Sequence, residues 1–182
     1  IHGSYGNPNE NWFPWLKTEL EKLGYEVYIP EFPSPENQNL ETWLKVFAPF
    51  GDKINQDTIL IGHSLGVAFI LTILEKINLP VKAVYLVAGF IDILNNPDFD
   101  EINKTFVNKK FDWPKIKINS REFYIFHSNN DPYVPWEKSQ QISDKLDIPV
   151  IEIQGAGHFN QQAGYEKFPQ LLESIKEAKR VN

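Results

Sequence analysis

Between Thr58 and Lys76 the chain reads TILIGHSLGVAFILTILEK: an apolar run, a turn holding one serine between two glycines, and a second apolar run. The first run shows no polar alternation, as expected of a parallel strand covered on both faces. The second is apolar nearly all round, which predicts a helix buried against a sheet. The turn between them, Gly62-His63-Ser64-Leu65-Gly66, fits the G-x-S-x-G pattern of a nucleophile elbow. A sharp strand-to-helix bend raises the serine oxygen above the sheet, and glycines at 62 and 66 leave room where a side chain would clash. The same serine begins a helix, so the Leu65 amide points where an oxyanion would develop. Serine is also a favoured helix N-cap, and these five residues alone suit a plain structural turn equally well. What separates the two readings is whether other loops offer Ser64 partners.

The remaining chain alternates strand and helix signals. Ile1 is expected to close a first strand, most of which is missing from the given sequence, and to lead into the glycine-rich loop His2 to Pro8. Trp12, Leu16, Leu20 and Leu23 recur at helical spacing, with Pro14 in the first turn and Gly24 as the stop. Tyr25 to Ile29 predicts a strand, and Leu40 to Phe47 a helix that Pro49 and Gly51 break or end. Strands are also expected at Val81 to Val87, Arg121 to His127 and Pro149 to Ile153. Helices are expected at Trp136 to Leu146 and after Pro169, since proline suits a first helical position. Residues 88–119 are long for a simple connection, so they form either a short helical cap over the site or a packed crossover helix with a ragged loop. This alternation predicts one α/β domain over residues 1–182, with about six mostly parallel strands and helices on both faces.

In such a sheet, ligands gather outside the carboxyl ends of the strands. Gly3-Ser4-Tyr5 follows the first strand, Ser64 the third, Asp131 the fifth and His158 the sixth. A serine hydroxyl needs a base to take its proton, and imidazole titrates near neutrality. A carboxylate behind that imidazole sets its tautomer and stabilises the imidazolium. Amides of Leu65 and of the loop after Gly3 can meet the developing negative charge. Each residue has a structural alternative: Asp131 as a turn cap before Pro132, His158 as a loop histidine. His63 is the weaker base, because consecutive side chains in a sharp turn point apart. His2 and His127 end strands and are expected to support loops. Asp92, after the fourth strand, is the rival acid; Asp131 is preferred for its polar turn beside the strand preceding the histidine strand.

Composition closes off other classes. With no cysteine there is no disulfide, thiolate or cysteine–metal chemistry, and the four histidines lack metal-ligand spacing, so no metal and no cofactor is expected. The net charge is −6 and the lysines are dispersed, which disfavours nucleic acid as a partner. No apolar run reaches the ~18 residues of a membrane span and no signal peptide opens the chain; a cytoplasmic setting is expected.

The segments HGSYGNP with PWLKTEL, IGHSLG, HSNNDPYVP and GAGHFNQQAGYEKFP span nearly the whole chain. Together they resemble the α/β-hydrolase superfamily, and within it the small serine hydrolases related to retinoblastoma-binding protein 9 and its bacterial relatives. That resemblance implies a three-layer fold with a minimal cap, and a first strand lying between the second and third so that strand order reverses beside Ser64. It implies Ser64 as nucleophile, Asp131 as acid, His158 as base, and the amides of Ser4 and Leu65 as the oxyanion hole. Ser4-Tyr5 stands where many relatives carry smaller residues, so Tyr5 is expected to narrow a pocket that Phe90, Trp136 and Phe159 also line. The implied activity is hydrolysis of a small carboxylic ester or related acyl compound. A protein-binding module on the same fold, and acyl transfer to an acceptor other than water, are the alternatives.

Overall fold

In the computed structural model, which describes residues 1–180, four parallel strands lie side by side in chain order: β1 (Ile59–His63), β2 (Val81–Val87), β3 (Ser120–Ser128) and β4 (Val150–Ile153). Both faces of β2 are buried, with Val84 and Leu86 in one apolar cluster and Ala83, Tyr85 and Val87 in the other. That is why its sequence is continuously apolar rather than alternating. The first cluster receives α2 (Leu40–Gly51), α3 (Leu65–Leu74), α4 (Pro97–Val107), α5 (Trp113–Ile118) and α6 (Trp136–Leu146). The second receives α1 (Phe13–Lys22) and α7 (Pro169–Arg180). The result is a three-layer α/β sandwich. Among the described residues no helix is long and apolar enough to cross a membrane.

Among the described residues four strands are found where about six are expected. Ile1 does take a ladder position on the outer edge of β1: its amino group donates to the Ile61 carbonyl at 2.8 Å, and its carbonyl accepts from the His63 amide at 3.0 Å. Residues 25–29 belong to no sheet among the described residues, although Val27 and Ile29 pack against the same apolar cluster as Ile59 and Ile61. A β-pattern becomes a strand only with a neighbour to bond to.

Two other expectations change. α2 continues through Pro49 to Gly51. Proline removes one donor and crowds the preceding turn, but in the last turn of a helix the loss is local. The Asn39–Thr42 capping box and the burial of Trp43 and Phe47 hold the rest. Residues 88–119 contain two helices rather than one. α4 opens on Asn96, whose side chain accepts from the Asp98 and Phe99 amides, with Pro97 at its first position. Its inner face carries Asn103, Phe106 and Val107 into the core.

Candidate active site

Ser64 joins β1 to α3 at φ 56° and ψ −122°, a positive φ that a non-glycine residue rarely adopts. Its amide is tied to the Val87 carbonyl at the end of β2 (2.9 Å), which fixes the bend. The glycine requirement is steric. A Cβ at Gly62 would stand 2.8 Å from the Gly66 carbonyl oxygen, and one at Gly3 would stand 2.7 Å from Ser64 Cβ and 3.1 Å from Ser64 Oγ. The glycine loop after Ile1 therefore lies directly against the serine side chain. Among the described residues the Ser64 hydroxyl makes no hydrogen bond, and neither does the Ser4 amide. Leu65 is the first residue of α3, so its amide is one of the donors a helix leaves without an internal acceptor.

Asp131 and His158 are brought together. His158 Nδ1–H donates to Asp131 Oδ2 at 2.7 Å, leaving Nε2 as the proton acceptor. The other oxygen, Oδ1, accepts from the amides of Tyr133 (2.9 Å) and Val134 (3.0 Å). Burial pushes the Asp131 carboxyl up, but its hydrogen bond to His158, the charge of that ring and the two amides outweigh burial and hold it below the ordinary carboxylate value. Asp92 is elsewhere: it pairs with Lys138 of α6, which also bonds the Ile93 carbonyl.

The residues that hold the histidine loop are ones the sequence did not single out for that task. The side chains of Ser128, Asn129 and Asn130 accept in turn from the amides of Ala156 (2.9 Å), Gly155 (2.9 Å) and Gly157 (2.8 Å). The signal was there as three short polar residues leading into Asp131. His63 Nε2–H donates to the His158 carbonyl at 2.8 Å, and Trp12 Nε1–H to the Phe159 carbonyl at 3.0 Å. His63 thus braces the backbone of His158, with its Nε2 spent on that carbonyl.

A match to the serine hydrolase family model covers residues 1–177. The chain belongs to the serine hydrolase family. It is 31% identical over 177 residues to YdeN of Bacillus subtilis (strain 168), covering 96% of this chain and 92% of that protein. It is 28% identical over 169 residues to the serine hydrolase RBBP9 of Rattus norvegicus, covering 91% and 84%. The crystal structure of the B. subtilis ydeN gene product superimposes with a TM-score of 0.92 over 99% of this chain and 96% of that one, at 28% identity. The fold is that of the α/β hydrolases.

In this hydrolase the expected pocket residues divide. Tyr5 is 53% exposed and meets Phe99 edge-on, and Trp136 is half-buried against His127. Phe90 and Phe159 are core residues, 1% and 0% exposed, and do not line an open surface. Phe159 stacks on Phe168 because φ values of 52° at Gly157 and 51° at Phe159 turn its ring inward. Tyr133, not expected there, presents its ring edge to His158 at 5.2 Å.

The other histidines are supports. His2 Nδ1–H donates to the Gly3 carbonyl (2.8 Å) while Nε2 accepts from the Phe32 amide (3.0 Å). His127 Nε2–H donates to the Val134 carbonyl (3.0 Å), and Nδ1 accepts from Ser139 Oγ (2.8 Å). Burial pushes His2 down to about 4 and His63 to about 3. An unfolded chain takes up these protons near pH 6.5, whereas the folded one does so only near pH 4 and 3. Their contribution to stability is therefore complete above about pH 6.5 and is lost as pH falls, at about 1.4 kcal/mol per pH unit for each histidine. The urea midpoint is expected to fall between pH 6.5 and 5, before most carboxylates titrate; a flat midpoint over that window would refute buried neutral histidines.

Proposed function

We propose that this chain is a cofactor-independent serine hydrolase that cleaves a small carboxylic ester or related acyl compound through an acyl-enzyme on Ser64. The supporting observation is the Asp131–His158 hydrogen bond, with Nε2 left free, at the same sheet edge as a strained, unbonded serine. On this reading His158 Nε2 takes the Ser64 proton as Oγ attacks the substrate carbonyl carbon. The carbonyl oxygen becomes an oxyanion between the amides of Ser4 and Leu65. As the intermediate collapses, the ester C–O bond breaks and the alcohol leaves with the proton held on His158. Water then repeats the sequence: His158 accepts its proton, its oxygen attacks the acyl carbon, and the acid departs while Ser64 regains a proton. On this reading the Ser64–His158 hydrogen bond forms as substrate binds, since catalytic contacts tighten in the Michaelis complex.

The test is covalent labelling by a fluorophosphonate, with Ser64→Ala and His158→Ala as comparisons. The wild type is expected to label and both variants to stay unlabelled on the same timescale. A folded wild type that takes no label would end the hydrolase reading in favour of a binding module. Labelling together with faster transfer to an added amine or alcohol than to water would make the chain an acyltransferase using the same residues.

A further inference from the structure

We infer that Asn103 of α4, acting with Gln38, is a positioning residue that aims the Ser4 amide into the oxyanion hole; this deepens the hydrolase reading above and rests on it. A peptide group is planar, so the Ser4 N–H points opposite to the Gly3 carbonyl to which it is joined. That carbonyl is held by two donors, His2 Nδ1 at 2.8 Å and the Gly6 amide at 3.2 Å. The far side of the Ser4 peptide is held by side chains. Ser4 Oγ donates to Asn103 Oδ1 at 2.6 Å, and Gln38 Nε2 donates to Ser4 Oγ at 3.0 Å and to Asn103 Oδ1 at 2.8 Å. Gln38 Oε1 in turn accepts from Ser34 Oγ at 2.6 Å, and that same hydroxyl accepts from the Tyr5 amide.

The loop is thus held at the Gly3 carbonyl, the Ser4 hydroxyl and the Tyr5 amide, while the Ser4 N–H has no acceptor among the described residues. One face of α4 supplies part of the grip. Phe99, one turn before Asn103 on α4, meets the Tyr5 ring edge-on at 5.7 Å. Asn103 is 1% exposed and its Nδ2 has no hydrogen-bond partner among the described residues. A buried amide with an orphaned donor is a poor choice for packing, and calls for another reason to be there. Its Oδ1, accepting from both Ser4 and Gln38, supplies one. α4 thus does more than cover the site: it sets the direction of a donor on a loop 99 positions away in sequence.

The experiment compares wild type, Asn103→Ala, Asn103→Asp and Ser4→Ala by steady-state hydrolysis of p-nitrophenyl acetate, affinity for a boronic acid that forms a tetrahedral adduct, and thermal melting. Displacing an oxyanion donor by about 1 Å costs on the order of 10²-fold, so Asn103→Ala is expected to lower kcat by roughly 10- to 100-fold with KM within about twofold. Boronate affinity is expected to fall in the same ratio. Asn103→Asp keeps the acceptor oxygen and is expected to restore kcat to within a few-fold of wild type. Ser4→Ala removes the handle without touching α4, reproduces the kcat loss, and decides the matter if Asn103→Ala does not fold. Wild-type kcat in folded Asn103→Ala or in Ser4→Ala would overturn the role, as would an Asn103→Asp as impaired as the alanine variant. A wild type that takes no fluorophosphonate label sinks the hydrolase reading itself, a result distinct from any of these.

Discussion

Replacing Asp131 with asparagine is expected to lower kcat on a p-nitrophenyl ester by about 10⁴-fold while the protein melts close to the wild-type temperature. The cause is a reversed donor. Asp131 Oδ1 is committed to the Tyr133 and Val134 amides, so an asparagine keeps its carbonyl oxygen there and turns its NH₂ toward His158 Nδ1. Nδ1 must then be the unprotonated nitrogen, which puts the ring proton on Nε2, where the proposed mechanism requires an acceptor for the Ser64 proton. The loop stays tied through Ser128, Asn129 and Asn130, so the loss is one of tautomer and not of structure. Asp92→Asn is the matched comparison: it removes the ion pair with Lys138 and is expected to leave kcat within a few-fold. If Asp92→Asn were the damaging change and Asp131→Asn the mild one, the acid would be misassigned.

Gly66→Ala is expected to lower the melting temperature by about 2–12 °C, because overpacking against rigid neighbours costs roughly 1–3 kcal/mol and a domain of this size loses about 2–4 °C per kcal/mol. A Cβ there would stand 2.5 Å from the Ile1 carbonyl oxygen and 2.8 Å from that of His2. These are backbone atoms, so no side-chain rotation relieves the contact. Either α3 or the segment from Ile1 to Gly3 must move, and the latter leads into Ser4, the proposed oxyanion donor. Activity is therefore expected to fall together with stability. Gly51→Ala, with nothing within 4 Å of the added carbon, serves as the control and is expected to melt at or slightly above wild type. Calorimetry that places Gly66→Ala within a degree of wild type would refute the close approach.

Much of the fold was legible because periodicity and burial agree locally. Val81–Val87 and Trp136–Leu146 occupy the expected residues, since a doubly covered strand and a one-sided helix leave different marks. The proximity of Asp131 to His158 was legible from their places at neighbouring strand ends. Residues 25–29 carry the right β-pattern, but pairing is a property of two segments and cannot be read from one. Pro49 misled because a proline's effect depends on how much helix follows it. Asn103 was invisible among the asparagines and aspartates of residues 88–119, since its partners are Ser4 and Gln38 at the other end of the chain. Phe159 looked like a pocket residue until the two left-handed turns around His158 placed its ring in the core.

The backbone of Ser64 also carries a standing energetic cost. A serine at φ 56° sits in a conformation that costs on the order of 1–3 kcal/mol and that glycine adopts without penalty. Against a net folding stability of roughly 5–15 kcal/mol, that is a substantial standing burden. A glycine at this half-buried position would relieve the strain and remove the hydroxyl together. On the hydrolase reading, the strain is the cost of presenting a hydroxyl where it can attack an acyl carbon.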